Sequence, residues 1–207
     1  PGEFSIGRYH NMGAAEANTE WIMKLDVDAL PHTRYFSELI PILQTASHKQ
    51  WFNGGMIYLH RLASLQYAGK FAPLLPRDYE EIMHRPEIRS GYAFPASSNF
   101  ICRRRVYIEQ GGCHSGFFGY GWEDYQQLFM LEYVERGQNP LPGPINLNNV
   151  TQRCRDEISR PKARQLWERN PWLCLLHCWH PKAPVSPILI NANRRNLFSY
   201  IQQFENR

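Results

Sequence analysis

The sequence predicts an α/β fold, because short apolar runs typical of strands alternate with segments of helical periodicity. The run Trp21–Leu25 holds four large apolar residues broken only by Lys24, which is typical of a buried strand in a parallel sheet. The segments Gln50–His60 and Tyr92–Cys102 are the next two predicted strands. Residues 33–45 carry an apolar face at helical spacing and are predicted to form the helix after the first strand.

Several further segments are assigned by their pattern. A helix is expected to start at Glu123 and to end at Gly137, since glycine commonly ends helices. Pro41 is expected to kink or break the helix over 33–45. The charged stretch Arg153–Arg169 is predicted to be a solvated helix, and residues 62–89 are interpreted as an insertion over the sheet.

Composition limits the class of protein. The chain has 207 residues, of which 43% are hydrophobic and 14% aromatic, so we expect a globular protein with one sizeable core, or one domain plus an extension. The net charge of +4 suits an anionic substrate such as a nucleotide diphosphate but falls short of a nucleic-acid binder's basic footprint. No apolar run reaches the length of a membrane span.

The five cysteines have an odd count and no repeated spacing, which argues against a disulfide scaffold, although one or two bridges stay open. A closed zinc site is an alternative use for Cys174, His177, Cys178 and His180, but their spacing matches no common zinc-finger pattern.

Two aspartates, Asp26 and Asp28, follow the first predicted strand, where ligands bind in open α/β sheets. Carboxylates there suit Mg²⁺ or Mn²⁺ carrying a diphosphate, although isolated aspartates so spaced are more often solvated loop residues. His177 and His180 follow another apolar run and could complete a mixed site that favours Mn²⁺. Structural histidines packed beside an aromatic residue are the alternative.

Glu123 and Asp124 open a predicted helix, directly after the aromatic residues Tyr120 and Trp122. The helix dipole favours their ionised form, whereas burial under the aromatic rings would raise their basicity toward that of a general base. The alternative is an acidic first turn that only stabilises its helix. Small residues before Asn99 would let a ligand approach the backbone closely.

Four motifs occur in a specific order over residues 5–182. They are Arg8-x-x-Asn11-x-Gly13-Ala14, Leu25-Asp-Val-Asp28, Gly111-Gly112 with Phe117-Phe-Gly-Tyr-Gly-Trp-Glu-Asp124, and Leu176-His-Cys-Trp-His-Pro181. Together they resemble the motifs of GT-A glycosyltransferases, in particular the inverting group that includes the β-1,4-galactosyltransferases, chondroitin-polymerase-type enzymes and bacterial family 2 relatives.

The resemblance implies a GT-A fold, which is a Rossmann-like mixed sheet flanked by helices. Residues 1–207 would form a single catalytic domain with an acceptor-side half from about 90 to 182 and a C-terminal helix over 191–207. Compared with the family, residues 1–207 correspond to the C-terminal two-thirds of a GT-A fold. The N-terminal nucleotide-binding strands are then expected to be missing, and the strand at Trp21 to be a middle strand.

The resemblance also implies a function, which is metal-dependent, inverting transfer of a hexosyl or N-acetylhexosaminyl group. The donor would be a nucleotide-sugar, most readily a UDP-sugar, and the acceptor a sugar hydroxyl in glycan or polysaccharide synthesis. Asp28, His180 and His177 would hold Mn²⁺ or Mg²⁺, and Asp26 would lie nearer the ribose or just behind the direct metal ligands. We expect a cytoplasmic enzyme of bacterial type if no anchor is missing, with the Golgi lumen as the alternative.

Asp124 would be the catalytic base, with Glu123 orienting the acceptor. The acceptor platform would consist of Tyr120, Gly121 and Trp122, and it departs from the W-G-W-G-G-E-D of many relatives.

Arg8 and Asn11 would lie near the donor, and Asn99 would contact substrate. Two other functions stay open at this stage, a two-carboxylate glycoside hydrolase and a non-catalytic module that binds a sugar or nucleotide.

Overall fold

The computed structural model describes residues 4–68, 89–93, 99–119, 121–181 and 186–204. The helices are α1 (Ile6–Glu16), α2 (Tyr35–Thr45), α3 (Arg61–Ala68), α4 (Arg104–Glu109), α5 (Glu123–Arg136), α6 (Val150–Arg153), α7 (Arg160–Arg169) and α8 (Pro187–Gln202). The strands are β1 (Trp21–Met23), β2 (Ala29–Pro31), β3 (Phe52–Asn53), β4 (Gly55–Leu59), β5 (Arg89–Ala93), β6 (Phe100–Arg103) and β7 (Cys174–His177). This is the expected α/β architecture. Most of the predicted insertion over residues 62–89 lies outside the described residues.

The strands form two small sheets, one with the order β1-β6-β3 and one with the order β2-β7-β4-β5. All neighbouring strands are antiparallel except β4 and β7, so the strand pairing is mixed. The chain passes from the first sheet to the second through two short connections, Gly54 between β3 and β4 and the turn between β1 and β2, and again over the long stretch between β6 and β7. The two aspartates of the predicted metal motif lie in that turn.

The prediction of a buried parallel strand at Trp21 was wrong. β1 pairs only with β6 among the described strands, antiparallel, with Met23 opposite Ile101, and its three residues are half-buried. An apolar run indicates burial, but it carries no information on the direction of the neighbouring strand. β1 therefore lies at an edge of its sheet within the described part of the chain.

Two of the predicted helices differ from the expectation. α2 continues through Pro41 without a break. The charged stretch Arg153–Arg169 is not a solvated helix, because it begins as a π-helix (Cys154–Ser159) and Ile158, Ala163 and Leu166 are fully buried. The apolar residues between its charged residues pack into the core, and one of the charged residues, Lys162, is buried with them.

A buried charge network joins α5, the predicted catalytic helix, to α7 and to Trp51, the residue before β3. Trp51 donates its indole N–H to Glu132 over 2.8 Å, and the Lys162 ammonium lies 2.5 Å from Glu135 and 3.5 Å from Glu132. Lys162 is only 5% exposed. Because buried charges are tolerated when they are paired, this network can hold the C-terminal part of α5 against the core.

Gly137 ends α5 with φ of 70°, as predicted, and donates its N–H to Tyr133. We expect Gly137→Ala to lower the free energy of unfolding by about 1–2 kcal/mol, because a Cβ is unfavourable in the left-handed conformation. Gly13→Ala is the matched control, since a Cβ there meets nothing within 4 Å inside a helix. It should stabilise the protein slightly. Equal denaturation midpoints for both variants would contradict this account of the helix end.

Candidate functional site

The turn between β1 and β2 directs its two aspartates into different clusters. Ala29 donates its N–H to the carbonyl of Asp26 over 3.0 Å, which closes the turn, and Val27 at its tip is fully exposed. Asp26 lies on the side of the first sheet and α5, whereas Asp28 lies against the end of β7. The two carboxylates of the motif therefore serve two adjoining groups of side chains.

The first group consists of Asp28, His177 and His180, and we call it the metal cluster. Ala29 pairs with His177 in the sheet, and Cys178 donates its N–H to the Asp28 carbonyl over 2.9 Å. These backbone contacts hold the turn against the end of β7. The Asp28 carboxylate lies 2.9 Å from His180 Nε2 and 3.5 Å from His177 Nε2, and one ligand atom from each residue lies within 4.8 Å of the others.

This spacing fits a divalent metal ion. Neighbouring ligands bound at about 2.1 Å lie about 3 Å apart, close to the 2.9 and 3.5 Å between Asp28 and the two histidines. One carboxylate with two imidazoles suits Mn²⁺ or another first-row ion better than Ca²⁺. Among the described residues, no other group of three His, Cys, Asp or Glu side chains has this geometry.

The surroundings of His180 favour a cation between it and Asp28. Its Nδ1 lies 3.0 Å from the carbonyl of Pro181, which can only accept a hydrogen bond, so Nδ1 must carry the proton. A neutral ring then presents the bare lone pair of Nε2 to the Asp28 carboxylate, and two acceptors repel each other. A metal ion bound by both groups would relieve this contact. A histidine whose other nitrogen is fixed by a carbonyl is the usual arrangement for a metal ligand.

The second group consists of Lys24, Asp26 and Asp124, and we call it the lysine cluster. The Lys24 ammonium lies 3.0 Å from Asp124 Oδ1 and 3.2 Å from Asp26 Oδ1. Asp124 belongs to the first turn of α5, and Asp26 follows β1, so Lys24 joins the two elements. Because only Val27 separates Asp26 from Asp28 in the sequence, the lysine cluster and the metal cluster adjoin each other.

Glu123, predicted to orient the acceptor, is 2% exposed, and its Oε2 has no hydrogen-bond partner within the described ranges. Burial, and secondarily the charge of Asp124, raises the pKa of Glu123 from 4.5 to about 7. The two neighbouring carboxyl groups thus differ in environment, since Asp124 is partly exposed and ion-paired and Glu123 is enclosed. The predicted contact of Glu123 with an acceptor stays a prediction.

The raised pKa of Glu123 makes stability depend on pH. Between about pH 4.5 and 7 the folded protein holds a proton that the unfolded chain releases, so this contribution is lost as pH rises through that window. Relative to Glu123→Gln, the wild type should lose about 3 kcal/mol of unfolding free energy from pH 5 to pH 8. Denaturant titrations at both pH values measure this. Glu16→Gln, at an exposed site, should show no such difference, and a parallel pH dependence of wild type and Glu123→Gln would contradict the assignment.

The aromatic loop before α5 has a constrained backbone. Trp122 adopts φ of 72°, which is unusual for a residue other than glycine, and Gly121 adopts φ of 109°. The Trp122 indole donates to the carbonyl of Ile190 in α8 over 2.9 Å, and its ring stacks on Tyr125. A Cβ on Gly121 would meet open space. Tyr120, the other residue of the predicted acceptor platform, lies outside the described residues.

The predicted donor contacts, Arg8 and Asn11, lie on α1. Arg8 is exposed. Asn11 is bonded within the protein, because its Oδ1 accepts from Tyr107 over 2.8 Å and from the Cys113 N–H over 2.7 Å, and its Nδ2 donates to the Cys113 carbonyl. A Cβ on Gly112 would lie 2.3 Å from that Oδ1. Within the structure, Asn11 therefore joins α1 to the Gly-Gly loop.

Asn99, a predicted substrate contact, is fully buried. Its carbonyl accepts from Gly54 N–H over 2.9 Å, and neither polar atom of its side chain has a hydrogen-bond partner in the described part of the chain. An enclosed amide without partners is costly unless a ligand or water satisfies it. The structure does not bring Asn99 into either cluster.

Two residues of the site were not predicted from the sequence. Lys24 was noted only as a break in an apolar strand, yet a single charge in such a run is itself a signal, because lysine is rarely buried without a partner. His10 lies near enough to Lys24 for their charges to interact, and its pKa is lowered chiefly by burial and then by Lys24. Nothing in the local pattern around His10 indicated this position.

The cysteine alternatives are also decided in part. All five cysteines are described and buried, and no disulfide joins them. The metal cluster contains His177 and His180 with Asp28 and does not include Cys174 or Cys178, so a closed cysteine–histidine zinc site does not form among the described residues. Burial raises the pKa of the Cys178 thiol, with Asp28 adding to this effect.

Comparisons with known proteins identify the family. Residues 2–149 match the family model described as glycosyltransferase-like family 2, which covers both aspartates of the turn and the first turn of α5. Neither a search of curated proteins nor a search of solved structures gave a match. Within the described residues, no helix combines the length and the apolar character needed to cross a membrane.

Proposed function

Because the chain belongs to the glycosyltransferase-like family 2, whose members use a nucleotide-sugar donor and an acceptor, we propose that it is a metal-dependent inverting transferase. The donor is a nucleoside diphosphate sugar, with a UDP-sugar as the first choice, and the acceptor is a sugar hydroxyl. The observation that carries this proposal is the adjacency of the metal cluster and the lysine cluster through the turn from Asp26 to Asp28. Only Val27 separates Asp28, which belongs to the proposed diphosphate site, from Asp26, which shares Lys24 with the proposed base Asp124.

The metal cluster supplies the donor side of this chemistry. Asp28, His177 and His180 would hold a divalent cation, which supplies charge to offset the diphosphate leaving group. The hydrogen bond between His180 Nδ1 and the Pro181 carbonyl keeps Nε2 directed at Asp28. Asp26 lies on the other side of the turn, where its carboxylate can accept a hydrogen bond from a hydroxyl group of the donor.

Asp124 supplies the acceptor side. Its Oδ1 is bound by Lys24, and its side chain is 19% exposed, so its other oxygen is available to an acceptor hydroxyl. A carboxylate so placed accepts the hydroxyl proton as the oxygen attacks the anomeric carbon. Attack opposite the leaving diphosphate inverts that centre in a single displacement.

The strained backbone at Trp122 supports a functional role for the start of α5. A left-handed conformation at a bulky residue costs about 1–3 kcal/mol and is typical of sites where geometry is needed for function. It turns the chain sharply enough to place Glu123 in the interior and Asp124 toward Lys24. The contact between the Trp122 indole and α8 keeps this turn in place.

A donor screen tests the proposal. The protein is incubated with Mn²⁺, a panel of nucleoside diphosphate sugars and sugar acceptors, and release of the nucleoside diphosphate is followed. We expect one class of donor to give release that depends on both Mn²⁺ and acceptor. Binding of a nucleotide-sugar without any turnover would instead favour the non-catalytic binding module.

A further inference from the structure

The most unusual charged residue of the site is Lys24, for which the proposed chemistry gives no direct role. Its side chain is 8% exposed and lies between two carboxylates from distant parts of the chain, Asp26 and Asp124. Its backbone is fixed too, because Lys24 N–H donates to the Phe100 carbonyl over 2.9 Å and so extends the pairing of β1 with β6. Both ends of the side chain are therefore held.

The ion pairs leave one oxygen of each carboxylate unused. Lys24 contacts Oδ1 of Asp124 and Oδ1 of Asp26, so two of its three N–H donors are engaged. Within the described part of the chain, the Oδ2 atoms of both aspartates have no side-chain ion pair or hydrogen bond. A single ammonium thus fixes the direction in which each free oxygen points, without occupying it.

The charge balance keeps this arrangement intact. Burial alone would lower the pKa of Lys24, but the charges of Asp124 and Asp26 outweigh burial and raise it above its usual range. The ammonium thus stays charged wherever the protein is folded. Without it, two carboxylates on neighbouring elements would face each other across the same small space, and their repulsion would separate them.

We propose that Lys24 is a positioning residue that holds Asp124 and Asp26 in one fixed arrangement. It thereby fixes the position of the base, Asp124, relative to the turn that carries the donor-side aspartates. This inference rests on the proposed function, since it assigns Asp124 as the base. Lys24 touches neither substrate; it acts through Asp124. The arrangement explains why a charged residue interrupts the apolar run Trp21–Leu25, directly after β1.

The test is a double-mutant cycle with Lys24→Met, which keeps the length of the stem and removes the charge. We expect Lys24→Met to lower kcat by about 10–100-fold, because a misplacement of a reacting group by about 1 Å costs up to about 100-fold. KM for the donor and affinity for Mn²⁺ should change by less than about twofold, since the metal cluster is untouched.

In the Asp124→Asn background, Lys24→Met should cause no further loss, because residues that act through one another are not additive. A full kcat in Lys24→Met, a raised donor KM in place of the lowered kcat, or an equal loss in both backgrounds would overturn the proposal. Should Lys24→Met fail to fold, Lys24→Gln, whose amide can still donate hydrogen bonds without the charge, replaces it in the same cycle. Full turnover by Asp124→Asn alone would contradict the base assignment of the proposed function and would be recognised separately.

Discussion

Asp124→Asn is expected to lower kcat for sugar transfer by about 100–10,000-fold while the protein still binds Mn²⁺ and the donor. The amide is nearly isosteric with the carboxylate but cannot accept the hydroxyl proton. It loses the charge of the ion pair with Lys24, whereas Asp26 retains its contact with the same ammonium. The metal cluster shares no side chain with Asp124, so binding on the donor side should persist. Steady-state transfer and donor titration measure the two properties separately.

Asp156→Asn is the matched control for this variant. Asp156 lies in the π-helix, where it pairs with Arg160, and it belongs to neither cluster. We expect its transfer rate to remain within about twofold of wild type, since surface ion pairs contribute little. A similar rate for Asp124→Asn and wild type would show that another group takes the acceptor proton.

His180→Ala is expected to weaken Mn²⁺ binding by more than about tenfold, and chelation of the wild type should abolish transfer until Mn²⁺ is restored. Changes to groups that only orient a ligand already cost about 10–100-fold in metal affinity, and loss of a ligand should cost at least as much. His180 is 53% exposed, so its truncation should leave the fold intact. Thermal unfolding without metal checks this point.

His48→Ala is the control for the metal prediction. His48 is also an exposed histidine, but it lies in the loop after α2, away from the metal cluster. Its removal should leave Mn²⁺ affinity and transfer unchanged. Equal effects of the two substitutions, or undiminished transfer in the presence of a chelator, would contradict the proposed metal dependence.

Much of the candidate site follows from local pattern. The turn after an apolar run, the acidic pair at the start of a helix and the histidines after a late strand were each visible in the sequence. The structure brings Asp28, His177 and His180 together, and it places Asp26 beside Asp124 through Lys24. That these groups bind metal and move a proton stays a prediction.

Features that depend on tertiary contacts were not visible in the sequence. The antiparallel pairing of β1 is decided by β6, far along the chain, and not by the residues of β1. Burial of Lys162 within a charged helix depends on Glu132 and Glu135 from another helix. Likewise, a lysine in a strand does not reveal that its partner is an aspartate 100 positions away.

The sequence also did not reveal that the two aspartates of the turn belong to different clusters. Two aspartates separated by one residue read as a single motif, and only the turn closed by Ala29 N–H shows that they diverge. Asp26 faces Lys24, and Asp28 faces the histidines. The sequence pattern identified the two aspartates, whereas their different neighbours are visible only in the structure.

Pulsed electron paramagnetic resonance of Mn²⁺ bound to the protein, with UDP present, tests the metal site directly. We expect one bound Mn²⁺ whose spectrum carries nitrogen couplings from two imidazoles, and the couplings should diminish in His177→Ala and in His180→Ala. Bound Mn²⁺ with no histidine nitrogen coupling, or couplings unchanged in both variants, would contradict the assignment of Asp28, His177 and His180 as the metal site.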